Sequence, residues 1–160
     1  MAKMSEAEIA EFLAGPVICR LGCLDSAGWP YVVPVWMQFA DGGYYIVPRE
    51  RAVWAEYLVR DDRVSLCMDD RDQHRRVLLK GRARVEEEPN VGGRWVPILR
   101  EMAERYWGAR GIDYHTKTLD EPRWLVFVKP VQTTSWYGTW AQRYRHYSWE
   151  LTNGAERLTS

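Results

Sequence analysis

The nearly continuous apolar run Tyr31–Phe39 (YVVPVWMQF) constrains the fold more than any other feature. A strand that is apolar at almost every position has both faces buried, so this run is expected to be a central barrel strand. Asp41-Gly42-Gly43 follows, and these residue types tolerate the positive φ angles of a tight turn. Because the aromatic and β-branched run Tyr44–Val47 comes next, the sequence predicts an antiparallel hairpin.

The hydrophobic period becomes helical after Pro48. Val53, Tyr57 and Leu58 fall on one face of a helix, which is expected to be short and amphipathic. The segment is expected to end at Asp61-Asp62.

Two arginines, Arg49 and Arg51, lie where this helix begins. A helix N-terminus carries partial positive charge and unpaired N–H groups, so two cations there favour a bound anion such as a phosphate. The alternative is that both side chains point into solvent or pair with Glu50 and Glu56.

Composition limits the possible classes of protein. The 160 residues, 46% of them hydrophobic, suit one domain, expected over residues 1–150 with a frayed tail at 151–160. The 22 basic and 22 acidic residues cancel, which argues against a nucleic-acid or anionic-membrane partner. No segment reaches the ~20 apolar residues of a membrane span, and no signal-like segment is seen, so a cytoplasmic location is expected. Nine Trp and nine Tyr favour an aromatic core, an interface or a flat ligand.

The cysteines and acidic residues do not predict a metal site. Cys19, Cys23 and Cys67 lie among apolar neighbours and are expected to be buried thiols in a reducing compartment. Cys19 and Cys23 have no second cysteine pair to complete a metal site. The charged segment 69–76 is expected to be a solvated hairpin tip.

The remaining segments extend this pattern into a meander of antiparallel strands. About six strands with short inserted helices indicate a mainly β fold, a small barrel with α additions. The expected elements are a helix from the capping box Ser5–Glu8 to Ala14, strands at 17–22, 64–68 and 77–85, a turn at 25–30, a helix over 95–106, a surface loop at 112–122, and a last strand at 125–128 stopped by Pro130.

Four segments in this order resemble the pyridoxamine 5′-phosphate oxidase-like FMN-binding split-barrel superfamily, and within it the small branch that includes deazaflavin-dependent reductases. They are FLAGPVICRLGCLDSAGWPYVVPVW, YYIVPRERA, LVRDDRVSLCMDD and VLLKGRARVEEEP. The resemblance extends from Ser5 to Trp136 and implies a six-stranded antiparallel split β-barrel with short helices.

The resemblance also implies a homodimer that holds a cofactor between its two barrels. FMN is the expected cofactor, with the deazaflavin coenzyme F-420 as the alternative and haem less favoured. Many relatives carry Lys soon after the Arg-Ala pair, whereas this chain has Trp54, which could shorten the phosphate site or stack on a ring. The residues implied are Val33, Pro34, Val35 and Trp36 along the isoalloxazine, Arg49 and Arg51 at the phosphate, Lys80 facing the cleft, and Trp136 closing over the cofactor.

Two functions follow from the resemblance. The first is an oxidoreductase that transfers a hydride to or from a small planar substrate, with the cofactor supplying the chemistry. No catalytic residue is assigned, although Tyr45 and Lys80 are possible proton donors. The second is a non-catalytic flavin- or haem-binding storage or sensor module, with His74, His115 and His146 as possible haem ligands. A purely structural dimer is a third possibility.

Overall fold

The computed structural model of the protein describes residues 3–70 and 74–138. These residues form one mainly β unit with four helices. The elements are α1 (Glu6–Leu13), β1 (Cys19–Leu24), β2 (Pro30–Val35), β3 (Gln38–Ala40), β4 (Gly43–Ile46), α2 (Val53–Arg60), β5 (Arg63–Asp69), β6 (Arg76–Asn90), α3 (Trp95–Trp107), α4 (Ala109–Lys117) and β7 (Arg123–Trp136).

The strands form one antiparallel sheet in the order β2-β1-β5-β6-β7-β4-β3. The described residues form seven strands instead of the six expected, because the apolar run from Tyr31 divides at Trp36-Met37 into β2 and β3. The prediction of one central strand is therefore wrong, since β2 and β3 lie at opposite ends of the sheet order. Proline lacks a backbone donor and is confined to edge strands or bulges, which explains why a run containing Pro34 forms an edge.

The predictions that depend on local sequence are confirmed. Ser5 caps α1 and forms a capping box with Glu8. Asp41 and Gly42, at φ 54° and 72°, form the turn between β3 and β4. Helix α2 begins and ends as the apolar spacing indicates. Strands β5 and β6 pair antiparallel on either side of the charged segment, whose residues 71–73 lie outside the described ranges. These features form because the required residue types adjoin each other in sequence.

The predicted surface loop at 112–122 is wrong, because its first half, residues 112–117, belongs to α4. Gly108 ends α3, but Gly111 lies inside the next helix and does not terminate one. A Cβ at Gly111 would lie 1.8 Å from the carbonyl oxygen of Ala103, so glycine is needed for the close crossing of α3 and α4. His115 is consequently buried, with 6% of its surface exposed.

The last strand continues past the proline that was expected to stop it. Strand β7 runs through Pro130 to Trp136, with a register shift opposite Lys80 and Gly81. The shift leaves Val131 70% exposed. Proline is tolerated in a strand at such an irregularity because the ladder is already interrupted there.

The buried apolar residues form two clusters, and strands of the sheet contribute to both. The barrel interior holds residues such as Leu21, Ile46 and Leu66, and a second cluster around Trp95 and Leu99 packs α3 against β7. All three cysteines are free thiols; Cys19 and Cys23 are buried and Cys67 is half-buried. The expected tail at 151–160 lies outside the described residues.

Two classes of feature are not found in this part of the chain. Over residues 3–70 and 74–138, no group of three or more metal-ligating side chains comes together. None of the helices described is long and apolar enough to cross a membrane.

Candidate functional site

A cleft of about 550 Å³ lies where the ends of β2 and β4 meet α3 and α4. We call it the aromatic cleft. Its walls are formed by residues of the strand end, the three neighbouring helices and two arginines. They include Pro34 and Val35 of β2, Trp36 directly after β2, Trp54 of α2, Trp107 of α3, Tyr114 of α4, and the arginines Arg49 and Arg123. This volume is within the usual range for a small-molecule site.

Three aromatic residues of the cleft, Trp36, Trp107 and Tyr114, form one connected cluster together with Tyr106. The indole of Trp36 stacks on the ring of Tyr106, with 5.1 Å between centroids and planes 6° apart. Trp107 and Tyr114 meet Trp36 edge-on at 4.9 and 5.9 Å. Because each ring is held by its neighbours, the wall is preorganised, and Trp107 stays 51% exposed at the opening.

Two cations converge on one phenol at the cleft. A backbone bridge sets Arg49, just after β4, beside Arg123 at the start of β7. Arg49 Nη2 and Arg123 Nη2 donate to the hydroxyl oxygen of Tyr114 at 3.1 and 3.2 Å. Arg49 also forms an ion pair with Glu121 at 2.7 Å. The cluster therefore holds two guanidinium groups against one carboxylate.

Arg123 is an unusual residue for a strand terminus because only 2% of its surface is exposed. Its guanidinium donates to Thr118 Oγ1 at 2.9 Å and lies 5.6 Å from the Trp95 ring centroid. Within the described ranges it has no carboxylate partner, and its Nε makes no hydrogen bond. A buried charge in this condition favours a nearby anion.

The electrostatics of the cluster act on Tyr114. Burial alone would raise the pKa of this phenol, but the hydrogen bonds from Arg49 and Arg123 outweigh burial and the net effect lowers it. The opposite holds for Tyr106, whose pKa is raised chiefly by burial. The pKa values of these two phenols therefore shift in opposite directions, because only Tyr114 accepts hydrogen bonds from two arginines that outweigh its burial.

The structure brings four of the eight predicted site residues to the aromatic cleft, namely Pro34, Val35, Trp36 and Arg49. Val33 lies on the inner side of β2 and packs against the barrel core. Arg51 is exposed before α2 and, in the described part of the chain, forms no ion pair. Trp54, in the first turn of α2, lines the cleft, so the beginning of this helix borders the site.

The other two predicted residues, Lys80 and Trp136, lie on the outward side of the sheet, where Lys80 is exposed and Trp136 is buried, with 8% of its surface exposed. They line a separate depression of about 570 Å³, together with Val32 of β2. Val32 is 66% exposed on this face, so the outward face carries apolar surface as well as charge.

Sequence reasoning did not find Arg123 and Tyr114. Tyr114 falls in the segment 112–122, which the sequence predicts as a surface loop. The sequence signal for the helix that carries Tyr114 is the spacing of Gly111, His115 and Thr118. These residues recur at i, i+4 and i+7, as on the buried face of a helix. Arg123 carried only the weak signal of a charge immediately before an apolar strand.

The two histidines in the described part of the chain do not line the cleft. His115 is buried, with its Nε2 3.0 Å from the Val96 carbonyl oxygen, and His74 is exposed next to the β5–β6 connection. Neither lines the aromatic cleft. His146 lies outside the described residues.

Comparisons with solved structures define the class of fold as the split barrel. A conserved hypothetical protein of Mycobacterium tuberculosis is 26% identical, with a TM-score of 0.65, 84% of this chain covered and 85% of that chain. The haem storage protein HutZ of Vibrio cholerae is 23% identical, with a TM-score of 0.62 and coverage of 83% and 96%. An F420 reductase is 17% identical, with a TM-score of 0.59 and coverage of 77% and 93%.

The family is shown by the sequence itself. The family model for pyridoxamine 5′-phosphate oxidase matches residues 5–137, and the chain therefore belongs to that family. No curated protein sequence matches the chain.

Proposed function

We propose that the protein is a flavin- or deazaflavin-binding oxidoreductase that transfers a hydride to or from a small planar substrate. The observation that carries this proposal is the aromatic cleft, where a preorganised aromatic wall adjoins two converging arginines. Its family binds flavins, and similar folds include an F420 reductase and a FAD-binding protein of Mesorhizobium loti. FMN is the proposed cofactor, with F-420 as the alternative.

The residues of the cleft fit such a group. Trp36, Trp54 and Trp107 offer aromatic surface for a planar ring, while the unsatisfied Nε of Arg123 indicates that an acceptor belongs nearby. When bound, the cofactor would supply the two-electron chemistry, and the protein would hold it, orient the substrate and exclude water.

We assign the cofactor phosphate to Arg51 at the start of α2. Arg49 was predicted to share this role, but it is engaged by Glu121 and Tyr114. Arg51 is exposed and uncommitted within the described ranges, next to a helix N-terminus that borders the cleft. The proposal therefore gives Arg51 to the phosphate and Arg49 to the cleft wall.

A homodimer would complete the site. Lys80 and Trp136 are too far around the sheet to line the aromatic cleft of their own chain, because they line the outward depression. Pro34 lines the cleft from the outward side of β2, the side on which Val32 is exposed. A second copy packed on this face would bring its Lys80 and Trp136 toward the cleft and cover Val32.

Titration of FMN and riboflavin into the apo protein tests the proposal. Replacement of Arg51 by Ala is expected to weaken FMN binding by ten- to a hundredfold, about 1.5–3 kcal/mol, because a charge-assisted contact is lost. Riboflavin, which lacks the phosphate, should bind both proteins equally, and Arg100→Ala, an exposed arginine on α3, should bind FMN as the wild type does. Equal FMN affinity of Arg51→Ala and wild type would refute the phosphate assignment.

The second candidate is a storage or sensor module without turnover, supported by the similarity to the haem storage protein. The described histidines do not favour it, since His115 and His74 both lie off the cleft wall. Adding NADPH or reduced F-420 to the loaded protein separates the two functions, because only an oxidoreductase would consume the donor with turnover.

A further inference from the structure

Both hydrogen-bond partners of the Tyr114 hydroxyl group in the described part of the chain are donors. Its oxygen accepts hydrogen bonds from Arg49 at 3.1 Å and from Arg123 at 3.2 Å. Among residues 3–70 and 74–138, it donates to no acceptor. A phenol has one proton to donate, and the two guanidinium groups cannot receive it. Because Tyr114 lines the aromatic cleft, that proton is available to a molecule bound there.

The surroundings of Tyr114 stabilise the state that follows loss of the proton. The phenolate would lie between two guanidinium groups, and hydrogen bonds between charged groups are stronger than those between neutral ones. Glu121 opposes this effect, but it pairs with Nη1 of Arg49, whereas the Tyr114 oxygen accepts from Nη2 of Arg49 and from Nη2 of Arg123. The adjacent residue His115 directs Nε2 to a backbone carbonyl.

On the basis of the proposed oxidoreductase function, we propose that Tyr114 is the proton donor of the aromatic cleft. When bound, the reduced flavin or deazaflavin would supply a hydride, that is two electrons and one proton, to a planar acceptor with a C=O or C=N bond. The heteroatom of that bond gains the second proton from the Tyr114 hydroxyl. The phenolate stays between Arg49 and Arg123 until water returns a proton, so one two-electron reduction is balanced by two protons.

The first test titrates the tyrosinate absorbance of the apo protein with pH, in the wild type, Tyr114→Phe and Tyr106→Phe. Tyr106 is a matched control because it belongs to the same aromatic cluster but donates to the Val17 carbonyl at 2.7 Å. We expect one tyrosine of the wild type to ionise below the usual value of about 10. This component should disappear in Tyr114→Phe and persist in Tyr106→Phe. If Tyr114→Phe leaves the low-pH component in place, or if no such component exists, the proposal is overturned.

The second test measures turnover of the FMN-loaded protein with NADPH as electron donor and a soluble naphthoquinone as planar acceptor. Tyr114→Phe is expected to lower kcat by about a hundredfold or more, the usual contribution of a positioned acid, while the retained ring still packs against Trp36 and the variant still binds FMN. The fall of kcat at high pH, where the phenol of the wild type loses its proton, should be absent in the variant. An unchanged kcat and pH profile would overturn the proposal.

The two tests separate this inference from the proposed function. If the wild type binds neither FMN nor F-420, the oxidoreductase proposal fails, and the pH titration of the apo protein still decides whether Tyr114 is the acidic phenol. If FMN binds and turns over while Tyr114→Phe behaves as the wild type, only the role of Tyr114 fails.

Discussion

Replacing Gly111 with alanine is expected to force α3 and α4 apart and lower the free energy of unfolding. The added Cβ would lie 1.8 Å from the Ala103 carbonyl oxygen and 2.4 Å from its carbon. Both are backbone atoms, so no side chain can rotate away. Ordinary contact begins at 3.4 Å, so the helices would have to separate by about 1.6 Å at this point.

The size of the effect follows from two opposing contributions. Overpacking of this kind costs about 1–3 kcal/mol, and a clash with backbone belongs at the upper end. Alanine is favoured over glycine inside a helix by about 1 kcal/mol. The net loss is therefore about 2 kcal/mol, which for a chain of this size lowers Tm by about 4–8 °C.

Thermal and urea unfolding followed by circular dichroism would measure this loss. Gly15→Ala is the matched control, because its nearest contact would be 3.4 Å from the Phe12 carbonyl oxygen. It is expected to change Tm little. A Gly111→Ala protein as stable as the wild type would refute the claim that α3 and α4 cross at backbone contact distance. Because α4 carries Tyr114, the destabilised variant should also lose the tyrosinate component described above.

Three further predictions follow from the exposure or burial of particular side chains. Val32→Asp should reduce the molar mass measured by light scattering from that of a dimer to that of a monomer, because Val32 is exposed on the proposed interface. Val59→Asp is the control, because Val59 is also exposed but lies on α2, and this variant should keep the mass of the dimer. Equal masses for the two variants would contradict the interface. Burial raises the pKa of the Cys19 thiol to about 12, so the folded state keeps a proton that the unfolded state releases above about 9. The free energy of unfolding should therefore fall between pH 9 and 12 by up to ~1.4 kcal/mol per pH unit, and Cys19→Ala should reduce that slope in urea titrations; an identical slope would rule out Cys19 as its source. In the native protein, thiol alkylation followed by mass spectrometry should modify half-buried Cys67 before fully buried Cys19, and the reverse order would contradict the burial of Cys19.

The features predicted correctly from sequence are those whose cause is local. Ser5 and Glu8 cap a helix through each other, and Asp41-Gly42 makes a turn without help from the rest of the chain. The spacing of Val53 and Leu58 likewise identifies α2. The overall mainly β class followed from counting such segments, and the family resemblance gave the split-barrel arrangement.

The errors arise where distant contacts decide the structure. An apolar run predicts burial, but whether β2 is central or an edge depends on which strands pair with it, and Pro34 was the overlooked signal. Glycine often ends a helix, but Gly111 lies within α4, where it is needed because the backbone of Ala103 in the preceding helix passes too close for a Cβ. Pro130 was expected to stop a strand, but a register shift against β6 accommodates it.

The arginines show how this limit applies to the candidate site. Arg49 and Arg51 are neighbours in sequence, so helix polarity predicted a single anion site for both. In the folded chain, the backbone bridge to Arg123 gives Arg49 a different neighbour, and both of these side chains turn to Tyr114. One predicted cluster of charge is thereby divided into two, with Arg51 at the entrance to α2 and an arginine pair around a phenol in the cleft wall. The proposed anion site at Arg51 and the proposed proton donor Tyr114 have different chemical tasks, and the proposed oxidoreductase would need both, one to bind a phosphate-bearing ring and the other to protonate the substrate.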